Sequence, residues 1–102
     1  MTLDKQKAAE RRYTILALMV EAAGRASESE ILTGLEVCDG GFEYGLTDAV
    51  VRDDLAWLRQ RNLITTEMLM DTMMIAQITR TGILAVQDRL AVDGLLKPLP
   101  QE

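Results

Sequence analysis

Two pairs of carboxylates, Glu28 with Glu30 and Asp53 with Asp54, are the residues from which acid–base chemistry could be assembled. Work of that kind needs both groups to converge on one bond. Residues one or two apart on a helix point in different directions, so neither pair converges. The chain has no histidine, which excludes a zinc site built on His and Cys and a His-based catalytic triad. It has no glycine-rich phosphate loop. Cys38 is the single cysteine, cannot form an internal disulfide, and reads as a small buried hydrophobe. The expectation is a protein that is not an enzyme and that carries no cofactor and no metal.

Recognition chemistry has better candidates. Thr47, Asp48, Ala49, Arg52 and Asp53 fall in the outward N-terminal turns of one expected helix. There Arg52 could bond a guanine edge at two points and Thr47 could hold a phosphate, which makes double-stranded DNA a candidate partner. The competing reading makes Arg52 a solvated residue that neutralises Asp48 or Asp53. Three carboxylates within two turns meet phosphates poorly.

A second set lies further on, where Met68, Met70, Met73 and Met74 crowd one short stretch. Strand residues alternate faces, so about half of these methionines pack inward and half point out. Flexible, polarizable methionines on a surface suit adaptable protein contacts, so Met70 and Met73 are candidate interface residues. Trp57, the one tryptophan, sits at the edge of a buried helix face and is expected to pack under this stretch. The alternative is an interface anchor. Lys5, Lys7, Arg11 and Arg12 form one basic cluster, read as a solvated helix face.

The elements that must position these residues follow from periodicity and punctuation. Residues 4–23 read as a helix that Asp4 caps and Gly24 ends. Ser27 and Glu30 form a capping-box pattern ahead of a second helix carrying Ile31, Leu32, Leu35 and Cys38. Gly34 sits inside it, and Asp39-Gly40-Gly41 stops it. A loop holding Phe42 and Tyr44 leads to Thr47, the N-cap of a third helix that runs to about Arg61, with Val51, Leu55 and Leu58 on one face. Arg59 and Arg61 suit the negative end of its dipole, and Asn62 fits a left-handed C′ position.

The period then changes. Leu63 to Leu69 and Met73 to Thr79 read as the two strands of a β-hairpin, joined through Met70-Asp71-Thr72 without a glycine. Thr79 or Thr81 caps a fourth helix carrying Ile83, Leu84, Val86, Leu90 and Ala91. Residues 95–102 contain Pro98 and Pro100 and read as an extended tail. The order is α-α-α-β-β-α, mostly α with a small β-hairpin. That α+β layout is the one of a winged helix-turn-helix in residues 1–94, with the third helix (47–61) as recognition helix and the hairpin (63–79) as wing.

The charge pattern bears on the partner. The chain of 102 residues has 11 basic and 16 acidic side chains, a net charge of −5. Residues 24–46 are the most acidic and residues 47–62 are balanced. A duplex reader usually shows a basic stripe, because neutralised phosphates supply most of its affinity, and none is visible here. The hairpin offers only Glu67 and Asp71 as charges. The longest apolar run, Ile15 to Val20, is far short of the roughly 20 residues of a membrane span. The N-terminus lacks a signal-peptide pattern, and with one cysteine the expected compartment is the cytoplasm.

The stretch Val51-Arg52-Asp53-Asp54-Leu55-Ala56-Trp57-Leu58-Arg59-Gln60-Arg61-Asn62-Leu63-Ile64 resembles the recognition-helix-to-wing segment of winged-helix regulators. Ile78-Thr79-Arg80-Thr81-Gly82 looks like their second wing strand running into a helix. The whole chain is also similar to a family of small proteins of Mu-like bacteriophages and prophages with no assigned function. The residues that carry this likeness are Glu10-Arg11-Arg12-Tyr13-Thr14-Ile15-Leu16, Asp54-Leu55-Ala56-Trp57-Leu58, Thr79-Arg80-Thr81-Gly82 and Val92-Asp93-Gly94-Leu95-Leu96-Lys97-Pro98. The resemblance implies a winged-helix fold and a phage context, and no mechanism.

Two functions are expected from different classes. One is a DNA-binding or transcription-regulating module acting as a homodimer, paired through the first helix, the fourth helix and the tail, where Leu3, Leu95, Leu96 and Leu99 are the candidate apolar contacts. The other is an adaptor with the same fold that binds a phage or host protein and no nucleic acid.

Overall fold

The computed structural model describes residues 3–38 and 45–98. The expected Asp39-Gly40-Gly41 stop, Phe42, Tyr44, and the end of the tail with Leu99 lie outside them. The described elements are α1 (Leu3–Glu21), β1 (Arg25–Ser27), α2 (Glu28–Val37), α3 (Asp48–Gln60), β2 (Ile64–Leu69), β3 (Met73–Ile78) and α4 (Arg80–Val86). The fold is α+β with the helix and strand order of a winged helix-turn-helix.

The helix starts are set by side-chain caps that satisfy otherwise unpaired amides. Ser27 Oγ accepts from the Glu30 amide at 3.1 Å and Glu30 Oε1 accepts from the Ser27 amide at 3.0 Å, which completes the capping box. Thr47 Oγ1 accepts from the Val50 amide at 3.1 Å, and Thr79, not Thr81, caps α4 by accepting from the Gly82 amide at 3.1 Å. Asn62 takes a left-handed φ of 62° just past α3, as a C′ residue does.

Three boundaries differ from the periodicity. α1 ends at Glu21, because Ala23 and Gly24 both turn left-handed and direct the chain into a short strand. That strand, β1, has only three residues, too few to show an alternation, and its Ser27 doubles as the cap of α2. The hairpin is therefore part of a three-stranded antiparallel sheet of order β1-β3-β2, with Ala26 opposite Ala76 and Thr66 opposite Ala76 from the other side. α4 stops at Val86, short of Leu90 and Ala91, since Asp88 adopts a left-handed φ of 60°.

The core forms where the helical stripes meet the inner face of this sheet. Ile15, Leu16 and Met19 of α1, Ile31 and Leu35 of α2, and Val51, Leu55 and Leu58 of α3 are buried together with Leu63, Ile64, Ala76 and Ile78. The third-helix stripe predicted from spacing is thus the buried one. Gly34 is explained by close approach: a Cβ there would stand 3.0 Å from Leu18 Cδ1, so the gap between α1 and α2 has no room to spare. Past α4 the chain folds back on α1. Leu95 packs against the core, and the Leu96 amide donates to the Ala9 carbonyl at 3.2 Å.

Candidate functional site

The outward start of α3 is where the sequence places nucleic-acid recognition. Thr47, Asp48, Ala49, Arg52 and Asp53 are all exposed there, so the expected face exists. Its charges are arranged differently from the expectation. Arg52 does not pair with Asp48 or Asp53. Its Nε lies 3.0 Å from both carboxylate oxygens of Glu28, in the first turn of α2. The reason is position: Glu28 follows the Ser27 cap and is presented to α3 by helix packing, whereas Asp53 is the next residue along and points away. Thr47 spends its hydroxyl oxygen on the cap. The surface around Arg52 thus carries Glu28, Asp48 and Asp53 against one guanidinium.

The wing is apolar at its tip. Met70 is 85% exposed, and Met68, Leu69 and Met73 are about half exposed, while Met74 turns in against the core. By strand alternation Met68 and Met74 share the inner face and Met73 lies on the outer one with Leu69; of the inner pair only Met74, on the central strand, packs against the core. Glu67 of β2 is held by Arg25 of β1, with Nη2 to Oε1 at 2.8 Å, which leaves Asp71 as the one unneutralised charge of the described wing. β2 is an edge strand, paired on one side only within the sheet.

The basic cluster of α1 divides: Lys5 and Lys7 are exposed, as a solvated face requires, whereas Arg11 and Arg12 turn toward α3. Arg11 and Arg12 both reach Asp54 on α3. Arg11 donates through Nε to Oδ2 and through Nη2 to Oδ1 at 3.0 Å, and Arg12 Nε lies 3.3 Å from Oδ1. Asp54 is 1% exposed. A buried carboxylate needs a cation and hydrogen bonds to offset its lost hydration, and the two arginines provide them. This ion triad was missed in the sequence, although a signal is present. Residues 51, 54, 55 and 58 follow the i, i+3, i+4, i+7 stripe, so a carboxylate at 54 had to be buried and had to find a partner.

Trp57 does not pack under the wing. It is half-buried between the first half of α1, the end of α3 and the turn at Asp93–Gly94. The guanidinium carbon of Arg12 is 4.3 Å from its ring centroid and that of Arg61 is 3.7 Å away. Arg61 sits one turn after Trp57 and also donates from Nη1 to the Trp57 carbonyl at 3.2 Å. The arrangement follows from helix geometry, which puts residues four apart on one face. Around this ring lies a cleft of about 490 Å³.

The candidate interface residues of the tail separate in the same way. Leu95 belongs to the fold, and Leu96 stays partly exposed. Beside them the Tyr13 hydroxyl donates to the Val86 carbonyl at 2.8 Å, and Lys97 Nζ bonds Asp88 Oδ2 at 3.2 Å. Burial first, and the nearby Asp88 charge second, push the Tyr13 pKa above its usual value. The bond to Asp88 raises that of Lys97.

Among the described residues no helix is long and apolar enough to cross a membrane, and no three His, Cys, Asp or Glu side chains gather to hold a metal ion. The elements and their faces define the class as an α+β protein of winged helix-turn-helix layout.

Comparison with known proteins places it in a family. The chain is 34% identical over 93 residues to an uncharacterized protein of Haemophilus influenzae (strain ATCC 51907 / DSM 11121 / KW20 / Rd), a match covering 91% of this chain and 86% of the other. The chain belongs to the same family as that protein. No family model matches the sequence, and no solved structure matches the fold.

Proposed function

We propose that this chain is a protein-interaction module of a Mu-like phage or prophage, acting in the cytoplasm and associating through its wing, with a second copy of itself as the occupant. The carrying observation is the tip of the hairpin, where Met70 and the cross-strand pair Leu69 and Met73 are exposed together, with Met68 half exposed on the opposite face. A surface of adjacent apolar residues at a sheet edge favours pairing. A two-fold pair would set the same patch against itself. Little charge stands on the wing: Glu67 is neutralised by Arg25, and Asp71 is the one charge left at the tip. The family likeness in residues 10–16, 54–58, 79–82 and 92–98 is what suggests the phage context.

Light scattering at micromolar concentrations tests the reading. The wild-type chain is expected to be dimeric, and Met70→Asp with Met73→Asp is expected to be monomeric with an unchanged far-ultraviolet spectrum. A wild-type monomer throughout the range overturns it.

A DNA-reading function is the second proposal, favoured by one observation: Thr47, Ala49 and Arg52 stand exposed at the start of α3 in a winged helix-turn-helix layout. It is weakened by Glu28, Asp48 and Asp53 around Arg52 and by a wing without Lys or Arg. A reader loses duplex affinity steeply as salt is raised and is weakened further by Arg52→Ala. An interaction module shows no duplex binding at any salt.

A further inference from the structure

Four of the six methionines of the chain fall between residues 68 and 74, so the wing tip is built largely from side chains whose sulfur oxidises reversibly. Strand and turn geometry sorts them by access. Met70 is 85% exposed at the turn, and Met73 is 45% exposed beside its cross-strand partner Leu69. Met68 is half exposed on the other face of the sheet. Met74 is partly buried against the core, and Met19 is wholly buried within it. Apolar contact alone does not account for the residue type. Isoleucine or valine would supply hydrophobic area at Met73 and is favoured in strands. What methionine adds at the tip is a thioether that a small oxidant can reach.

We propose that Met70 and Met73 form a site of reversible oxidation by a peroxide, and that oxidation there dissolves the wing pairing. The inference rests on the pairing put forward above. In the reaction a sulfur lone pair attacks one oxygen of the peroxide. An S–O bond forms as the O–O bond breaks, and the sulfur gives up two electrons, which reduce the peroxide. The proton on the transferred oxygen passes to the departing one, which leaves as water or, from an organic hydroperoxide, as an alcohol. The sulfoxide is a polar acceptor where an apolar sulfur stood. In a two-fold pair it faces Met and Leu side chains of the partner wing, which carry no N–H or O–H donor. A covered acceptor without a donor weakens the contact. Pairing hides these sulfurs, so the peroxide acts on the dissociated chain, and each oxidised chain is withheld from pairing. The fold is spared, because neither Met70 nor Met73 belongs to the core cluster.

The full chain is treated with hydrogen peroxide at concentrations below and above its dissociation constant. Tandem mass spectrometry locates the added oxygen, and light scattering on the same samples reads the association. Met70 and Met73 are expected to gain oxygen ahead of Met74 and Met19, and more slowly when the chain is concentrated. The dissociation constant of the oxidised chain is expected to rise at least about tenfold, the effect of one covered acceptor left without a donor. Methionine sulfoxide reductases acting on both epimers should restore the dimer. Met70→Leu with Met73→Leu keeps an apolar tip without either sulfur, and is expected to stay dimeric in peroxide with the parent's far-ultraviolet spectrum. A parent chain that remains equally dimeric with both residues oxidised overturns the inference and leaves the pairing standing. Oxidation of Met74 or Met19 before Met70, or dissociation of the leucine variant to the parent's extent, overturns it as well. An untreated chain that is monomeric throughout overturns the pairing itself, and this inference with it.

Discussion

Gly94 lies flat against the indole of Trp57, so close that a Cβ built on it would stand 2.3 Å from Cζ2. Its φ of +93° adds a second requirement that side chains rarely meet. Neither the backbone nor the ring can give way freely, because Arg12 and Arg61 flank the indole and the Leu96 amide ties the following segment to α1. Gly94→Ala is therefore expected to destabilise the fold by about 2 kcal/mol, combining overpacking with backbone strain. Urea unfolding checks this: the midpoint should fall with the slope unchanged.

Asp53 and Asp54 are neighbours in sequence with opposite consequences. Asp54→Ala strands two partly buried guanidinium groups on α1 and should cost about 3 kcal/mol. Asp53→Ala removes an exposed charge near the start of α3 and should stay within about 0.5 kcal/mol of the parent. Equal unfolding midpoints for the two variants would show that the ion triad contributes nothing to the fold.

Much of this architecture was legible in the residues because each signal was local. Ser27 with Glu30, Thr47, Thr79 and Asn62 mark their helix ends by side-chain chemistry that needs no tertiary partner. The stripe of Val51, Leu55 and Leu58 is likewise a property of one element. What stayed hidden is long-range. β1 is too short to carry a pattern and exists because β3 pairs with it. The partner of Arg52 is Glu28, 24 residues away, and those of Asp54 are Arg11 and Arg12, 43 and 42 residues away. No spacing rule along the chain encodes such pairs. Trp57 was expected under the wing because it borders the buried stripe, but that edge faces α1 and the 93–94 turn. The apolar tail residue Leu95 signalled an interface, while its hydrophobic partner turned out to be the chain's own core.

Alkaline stability should be limited by the Tyr13–Asp88–Lys97 group. Burial and the Asp88 charge raise the Tyr13 pKa in the folded state, so the unfolded chain releases that proton first. Lys97 is shifted the same way by its bond to Asp88. In both cases the stabilising contribution is complete below the unfolded pKa and disappears as pH rises through the folded one. Stability is thus expected to be flat near pH 8 and to fall from about pH 10 upward. Tyr13→Phe should lower stability at neutral pH by about 1 kcal/mol, for the bond lost to the Val86 carbonyl. It should also make the alkaline decline shallower. Melting temperatures across the alkaline range for both chains supply the check; parallel curves would rule out a Tyr13 contribution.

The wing turn carries strain at a site that the proposed pairing uses. Met70 and Asp71 have φ of 54° and 58°, and the Thr72 amide donates to the Leu69 carbonyl at 3.2 Å, closing the turn. Two successive left-handed residues are what a type I′ turn demands, and Asn-Gly meets that demand far better than Met-Asp. Each L residue held there costs about 1 kcal/mol. Met70→Asn with Asp71→Gly should therefore raise stability by about 1 kcal/mol or more. The same change removes the most exposed apolar side chain of the wing. If Met70 is kept for association, the double variant melts higher and yet dissociates more readily than the parent. Thermal unfolding and light scattering on one preparation separate the two effects. A variant that is more stable and equally dimeric would remove Met70 from the interface, and one that is less stable would refute the strain itself.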